Sequence, residues 1–432
     1  MHELLHPGTI APPSSLTPEE RFHALADAGA NVFLTGQAGT GKTYQLREWL
    51  ARHPEAAVTA STGVAALNAG GSTIHRWSGM LIGPAPGQGF ADYFRELSRD
   101  SRHGIRAAFN RVRNAERLVI DEISMMPGRL LDYLDYHCRA IRDDQEPFGG
   151  IQVIATGDAG QLPPVRTNSS RDFDWFFDSK AWESAGFRAI ELTTIRRQED
   201  QAFARALGKF RLGEIDRETT ALLKPRVSMF PDRGLTRLLT HNAAVDKWNA
   251  LCLAELPGTE RIHQAETWGP SSQVEFLTKN LLTPATLRLK VGSRVMFTVN
   301  RPDSGFVNGQ TGIVADLRGS GITVETHGGR IDVEPFTWLF DPGDRSAGAF
   351  KQYPIRLANG VTIHKAQGLS LDAAFIDIRA AREPGQAYVA LSRVRSLAGL
   401  HLKDWPRGIF VSQRALDFQA ACRADLITTS LP

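Results

Sequence analysis

The chain has 432 residues, of which 42% are hydrophobic and 22% charged, with a formal net charge of +3. That balance excludes a disordered or fibrous protein and gives room for about two to four domains with real cores. No run of about 18 apolar residues predicts a membrane span, the start Met-His-Glu-Leu-Leu-His-Pro-Gly does not read as a signal peptide, and three widely spaced cysteines (Cys138, Cys252, Cys422) without a C-x-x-C point to a reducing, cytoplasmic setting rather than a disulfide or zinc framework.

Residues 1–20 carry Pro and Ser and read as a loose lead-in. Asn31–Thr35 reads as a buried strand and Tyr44–His53 as an amphipathic helix. Between them, Gly36-Gln-Ala-Gly-Thr-Gly-Lys-Thr43 fits G-x-x-x-x-G-K-[ST] at every fixed position. A strand, a glycine turn and a helix start aim backbone N–H groups and the helix dipole at phosphates. The loop Gly36, Ala38, Gly39, Thr40, Gly41, Lys42 and Thr43 is therefore the expected ATP cradle, with Lys42 on the β- and γ-phosphates and the Thr43 hydroxyl on Mg2+.

Ala56–Ala60 is the next strand, and Thr59-Ala-Ser-Thr-Gly-Val64 with Gly71-Ser-Thr-Ile-His75 sets hydroxyls and glycines at strand ends. Such groups bind nucleic-acid phosphates without much net charge; they are equally ordinary turn chemistry. Trp77 to Glu116 interrupts the alternation of strands and helices and reads as an inserted subdomain. Within it Arg95, Arg99, Arg102 and Arg106 have the spacing of one helical stripe, either a nucleic-acid face or a solvated one.

Leu118-Val-Ile-Asp-Glu122 is an apolar strand ending in two carboxylates. Paired with the phosphate loop, Asp121 is the expected magnesium ligand and Glu122 the base that orients and deprotonates the attacking water. A helix follows at Gly128–Arg142, then a strand at Ile151–Thr156 and the turn Gly157-Asp-Ala-Gly-Gln161-Leu-Pro-Pro164. An amide at that strand end can report the γ-phosphate, and Gln161 fits the role.

A second alternating block begins near Phe187, with a strand at Arg188–Leu192, helices near Gln201–Arg211 and Arg217–Leu223, a strand at Thr236–Thr240 and a helix from Asn242 to about Glu255. Residues 257–352 turn to short strands such as Ser293–Val299, Thr311–Leu317 and Gly321–Thr326, which read as a small inserted β-barrel. Alternation resumes near Tyr353 and runs to the end. Val361-Thr-Ile-His-Lys-Ala-Gln-Gly368 repeats the hydroxyl-rich strand end. Arg197 and Arg393 are the candidates for the positive charge that phosphoryl transfer needs beyond a phosphate loop. Their place in the second block leads to the expectation of ATP in a cleft between the blocks, opened and closed by hydrolysis.

In order along residues 30–405, these motifs resemble one family closely, the petite-integration-frequency DNA helicases of superfamily one, type B. Gly36–Thr43 is similar to its motif I, Thr59–His75 to motif Ia and its extension, Asp121–Met126 to motif II, Leu131–Val153 to its signature segment, Gly157–Val165 to motif III and Leu192–Gln198 to motif IV. Gly305–Gly312 looks like the loop of the family's inserted barrel; Val361–Leu371 and Gln386–Arg393 resemble motifs V and VI. The resemblance implies an α/β fold of two RecA-like P-loop domains. The first is residues 1–185 with a wedge insertion at about 77–116; the second is 186–256 and 353–432, carrying an SH3-like barrel at 257–352. It implies a monomeric motor that uses ATP and Mg2+, moves 5′ to 3′ on single-stranded DNA, and works at single-strand/duplex junctions and on four-stranded guanine structures. It assigns Lys42, Glu122, Gln161, Arg197 and Arg393 to ATP chemistry, with Thr43 and Asp121 on the metal. It places Ser61, Thr62, His75, Pro163, Asn308, Thr362, His364 and Lys365 near DNA. An RNA helicase of the same superfamily, a RecD-like nuclease subunit and an ATP-switched loading factor that never unwinds are the alternatives. The sequence departs from the family pattern in three places: no adenine-reading glutamine in Leu16–Phe22, Ala159 where an aromatic is usual, and no long tail after motif VI.

Overall fold

The computed structural model describes residues 16–81, 83–84, 87–99, 103–166, 172–198, 200–228, 234–317, 321–340 and 347–428. The chain divides into two units, residues 1–196 with 412–432, and residues 197–411.

The first unit is built on six parallel strands: β1 Val32–Gly36, β2 Ala57–Ala60, β3 Ser72–Thr73, β4 Arg117–Asp121, β5 Gln152–Thr156 and β6 Arg188–Leu192. Their order is β3-β2-β4-β5-β1-β6, so β5 separates the strand before the glycine turn from the strand ending in two acids. Every residue of β1 is buried because helices cover both faces of the sheet, as parallel sheets require. Val32 and Leu34 pack on one side with Phe22, Leu46 and Trp49 from helices α1 (Pro18–Asp27) and α2 (Lys42–Arg52). Phe33 faces the other side, with Ile120, Ala155, Leu134 and Phe176.

Three expectations are corrected here. The strand Arg188–Leu192 belongs to the first unit, since all five residues pair in parallel with β1. The C-terminal helix Gln413–Thr428 also belongs to it: Phe418 stacks on Phe177 at 4.3 Å and Arg423 binds Glu191 at 2.6 and 2.9 Å. The arginine stripe does not lie on one helix. Arg95 lies on the helix Phe90–Ser98 with Arg99 capping its end, Arg106 lies on a separate helix His103–Asn114, and Arg102 falls outside the described residues. These two helices bury Tyr93, Leu97, Ile105 and Val112 in the same core as the sheet.

The second unit holds a four-stranded parallel sheet, ordered Gly360–Thr362, Thr236–Leu239, Ala374–Ile376, Leu400–Leu402. A five-stranded antiparallel sheet is ordered Gly329–Val333, Ile322–Thr326, Thr311–Asp316, Arg294–Phe297, Ile355–Leu357. It has its own core around Val295, Phe297, Val314, Val324 and Ile355. The parallel pattern therefore resumes after Leu357 rather than near Tyr353, because Ile355 pairs with Phe297.

Candidate nucleotide site

β1 ends at Gly36, whose φ is +140°; a Cβ there would stand 2.5 Å from the Leu192 carbonyl oxygen and 2.8 Å from Thr40 Oγ1. Only glycine closes this turn against β6. Gly39 and Gly41 also have positive φ, +86° and +94°. The Thr40 amide and hydroxyl donate to the Gln37 carbonyl at 3.3 and 2.9 Å. The Arg196 amide clasps the loop from outside through the Gly39 carbonyl at 2.8 Å. α2 then starts at Lys42 with no side-chain cap, which leaves its first N–H groups for an anion. Lys42 Nζ folds across the loop and donates to the Gly36 and Gln37 carbonyls at 2.7 and 3.0 Å. Thr43 is the next residue of the helix.

β4 ends at Asp121, whose Oδ1 accepts the Thr156 hydroxyl from neighbouring β5 and the Glu122 amide at 3.0 Å. Burial pushes the Asp121 carboxyl above the usual range, against the pull of those two donors and the fields of Lys42 and Arg47. Glu122 follows in the left-handed region (φ 52°, ψ 45°), a conformation that costs on the order of 1–3 kcal/mol for a non-glycine residue. Its carbonyl is held by the Ser61 hydroxyl at 2.8 Å. After β5, Asp158 is fully buried and organises the turn: its Oδ1 accepts the Gly160 amide at 2.9 Å and its Oδ2 the Gln161 side chain at 3.4 Å. Gln161 and Pro163 are buried in that turn.

Among the described residues no group of three or more His, Cys, Asp or Glu could hold a metal alone. The Thr43 hydroxyl and Asp121 carboxylate are hard oxygen donors of the number magnesium takes when it arrives on nucleotide phosphates with much of its water.

In the second unit, two sequence candidates meet. Arg197 Nη1 donates to the Ser392 carbonyl at 3.2 Å, and Gln198 donates to the Ser392 and Val394 carbonyls at 3.4 and 3.2 Å. Arg393, between them, is 2% exposed; it donates to the Val389 carbonyl at 2.9 Å and Ser392 Oγ at 2.7 Å.

Most of the residues expected near DNA have partners of their own. Thr62 Oγ1 caps the helix Gly63–Ala69 through the Ala65 amide at 3.2 Å, and His75, its pKa lowered by burial, lies in the helix Ile74–Ser78. Thr362 is buried and accepts the Lys365 amide at 3.2 Å, while His364 Nε2 lies 3.3 Å from Glu383. The Asn308 amide donates to Asn300 Oδ1 at 3.0 Å, and the next residue, Gly309, approaches so closely that a Cβ would meet the Ser370 carbonyl at 3.0 Å. The loop around Asn308 and the segment after Thr362 are thus neighbours. Sequence reading missed Thr156, Arg47 and Arg196. Their roles depend on β5 lying between β1 and β4 and on the chain returning past Gly39, which no local pattern encodes.

Residues 21–221 match the PIF1-like helicase family. The ATP-dependent DNA helicase Pif1 of Bdellovibrio bacteriovorus is 37% identical over 93% of this chain and 91% of its own. The human ATP-dependent DNA helicase PIF1 is 37% identical over 91% of this chain; the match spans 62% of the human protein. A Bacteroides Pif1 in complex with ADP-AlF4 superposes with a TM-score of 0.82 at 31% identity, covering 95% of this chain and 97% of that one. A Bacteroides Pif1 with ADP-AlF3 and ssDNA gives 0.66 at 32% identity, covering 94% and 96%. The chain belongs to the PIF1-like helicase family.

Proposed function

We propose that this chain is an ATP-dependent DNA helicase that moves 5′ to 3′ on single-stranded DNA and opens duplexes, and four-stranded guanine structures, at a junction. The observation that carries the reading is the phosphate loop of β1 set two strands from the Asp121–Glu122 turn, in a chain 37% identical over 93% of its length to a Pif1 helicase. Relatives of this family are seen with a nucleotide analogue and with single-stranded DNA.

In this reading the two parallel sheets are the RecA-like halves of a monomeric motor. The helices around residues 90–114 form the wedge, and the five-stranded sheet is the SH3-like insertion. The loop from Gly36 to Thr43 binds ATP, with Lys42 leaving its two carbonyls for the phosphates. Thr43 and Asp121 would hold magnesium, which would supply neutralising charge to the phosphates. Glu122 takes the proton of the attacking water, and its fixed left-handed turn aims the carboxylate without a search. Gln161 reads the terminal phosphate; Arg197 and Arg393 steady the charge that develops on it. Ser61, Thr62, His75, Pro163, Asn308, Thr362, His364 and Lys365 line the strand's path. Opening one base-pair step costs about 1.4 kcal/mol, well within the reach of one ATP.

The test is strand displacement on duplexes carrying either a 5′ or a 3′ single-stranded tail. Unwinding with the 5′ tail alone is expected. Unwinding with the 3′ tail alone refutes the polarity, and ATP turnover without unwinding of either favours a loading factor.

A further inference from the structure

The second unit holds a cavity of about 460 Å³, of whose lining the proposed function uses Lys365 alone. Its size is within the roughly 300–1,000 Å³ of small-molecule sites. One wall is the helix Asn242–Glu255, fixed in place by a reciprocal pair: the Asn249 amide donates to the Gly360 carbonyl at 3.1 Å and accepts the Gly360 amide at 2.8 Å. Leu253, Leu282 and Leu287, all buried, make the recess apolar.

The charges around it are unequal. Glu260 is spent on Arg288, at 2.5 Å. That leaves exposed Lys279 and the more buried Arg356 and Lys365 on the lining, with Asp246 as the remaining carboxylate. Arg356 Nε makes a long 3.4 Å contact with the Leu357 carbonyl. Among the described residues, its terminal nitrogens and the Lys365 ammonium have no hydrogen-bond or ion-pair partner. Burial lowers the pKa of both groups; for Lys365 the neighbouring Arg356 lowers it further, and Asp246 pulls both back. Two desolvated, mutually repelling cations beside an apolar recess are costly unless an anion joins them.

We infer that this cavity takes one phosphate ester with an apolar or planar body, its phosphate on Arg356 and Lys365 and its body against Leu253, Leu282 and Leu287. A nucleotide has that chemistry. It can come from the bound DNA strand or as free nucleoside monophosphate. The strand is the favoured source, a choice that rests on the helicase reading, because that reading places Lys365, with Thr362 and His364, on the DNA path.

Ala250 lines the cavity and is exposed, so an Ala250→Cys chain with Cys252→Ala gives one accessible thiol there, Cys138 and Cys422 being buried. Its rate of reaction with N-ethylmaleimide is measured with oligothymidylate and with thymidine monophosphate. Binding of the strand is followed in parallel by fluorescence anisotropy. At about 90% occupancy the reaction slows about tenfold. Arg356→Gln and Leu282→Trp, one removing charge and one filling the recess, each abolish that protection. Arg356→Gln also lowers the log–log salt slope of strand binding by about 1. Protection by the oligonucleotide assigns the site to the strand, and protection by the monophosphate alone assigns it to free nucleotide. A chain that binds oligothymidylate by anisotropy yet is protected by neither probe overturns the inference and spares the helicase. A chain that binds no strand at all counts against the helicase, and the monophosphate alone then decides the cavity.

Discussion

The hydroxyl of Thr156 is the contact by which β5 serves the acid on β4, and Thr156→Val removes it with little change of shape or strand preference. Thr156 is 2% exposed and donates to Asp121 Oδ1, an oxygen otherwise served by the Glu122 amide at 3.0 Å. A hydrogen bond to a charged group contributes about 1.5–3 kcal/mol. If the reacting complex needs Asp121 ionised and in place, kcat/KM for DNA-stimulated ATP hydrolysis falls about 10- to 150-fold. The direction with pH follows from the same bond. Burial already holds the Asp121 pKa above its ordinary value, and loss of a donor to the ionised form raises it further. The acidic limb of the pH–rate profile therefore moves to higher pH in the variant. Thr156→Ser keeps the donor and restores the rate. Turnover within twofold of the parent, with an unmoved acidic limb, refutes the reasoning and leaves Thr156 as strand packing.

Gly36→Ala forces a methyl against the Leu192 carbonyl at 2.5 Å and is expected to weaken ATP binding more than tenfold, measured with a fluorescent ATP analogue. Glu122→Gln keeps nucleotide binding while steady-state turnover drops by about 10²–10⁴; normal turnover would displace Glu122 as the base. His137 is buried on the Ser78 carbonyl at 2.8 Å, and burial lowers its pKa to about 4. The unfolded chain therefore takes up that proton first, so stability is complete above about pH 6.5 and is lost as pH falls towards 4. From pH 7 to 5 this one group removes about 2 kcal/mol, and His137→Met should shrink the difference in urea unfolding by that amount.

What the sequence revealed was what is local. The phosphate loop, the acids ending β4 and the helix Gly128–Arg142 are each written in adjacent residues, and the structure places them where the pattern does. What it hid was set by which strand lies beside which. Arg188-Ala-Ile-Glu-Leu192 reads as a strand in either sheet; only its pairing with β1 assigns it to the first. The last helix joins the first unit through Phe418 and Arg423, whose partners lie more than 200 residues earlier. The arginine spacing was real, but a periodicity argument cannot see that one helix is capped at Arg99 and that Arg106 lies on another, His103–Asn114. Arg197 and Arg393 were found separately, and their meeting at Ser392 is a product of folding. Ser61, Thr62 and Thr362 read as phosphate donors because hydroxyls at strand ends serve turns and ligands alike. Here Thr62 and Thr362 each accept an amide within their own turn, and Ser61 donates to the Glu122 carbonyl at the end of the neighbouring strand.

The central claim is that a nucleotide on this phosphate loop drives movement along DNA. The most direct test follows ATP hydrolysis and strand separation together, in one reaction, for the parent chain and Lys42→Ala. The account predicts that the parent hydrolyses ATP faster with single-stranded DNA and separates the duplex, and that Lys42→Ala, still folded by its melting curve, does neither. Unwinding that survives in Lys42→Ala, or hydrolysis in the parent that ignores DNA, contradicts it.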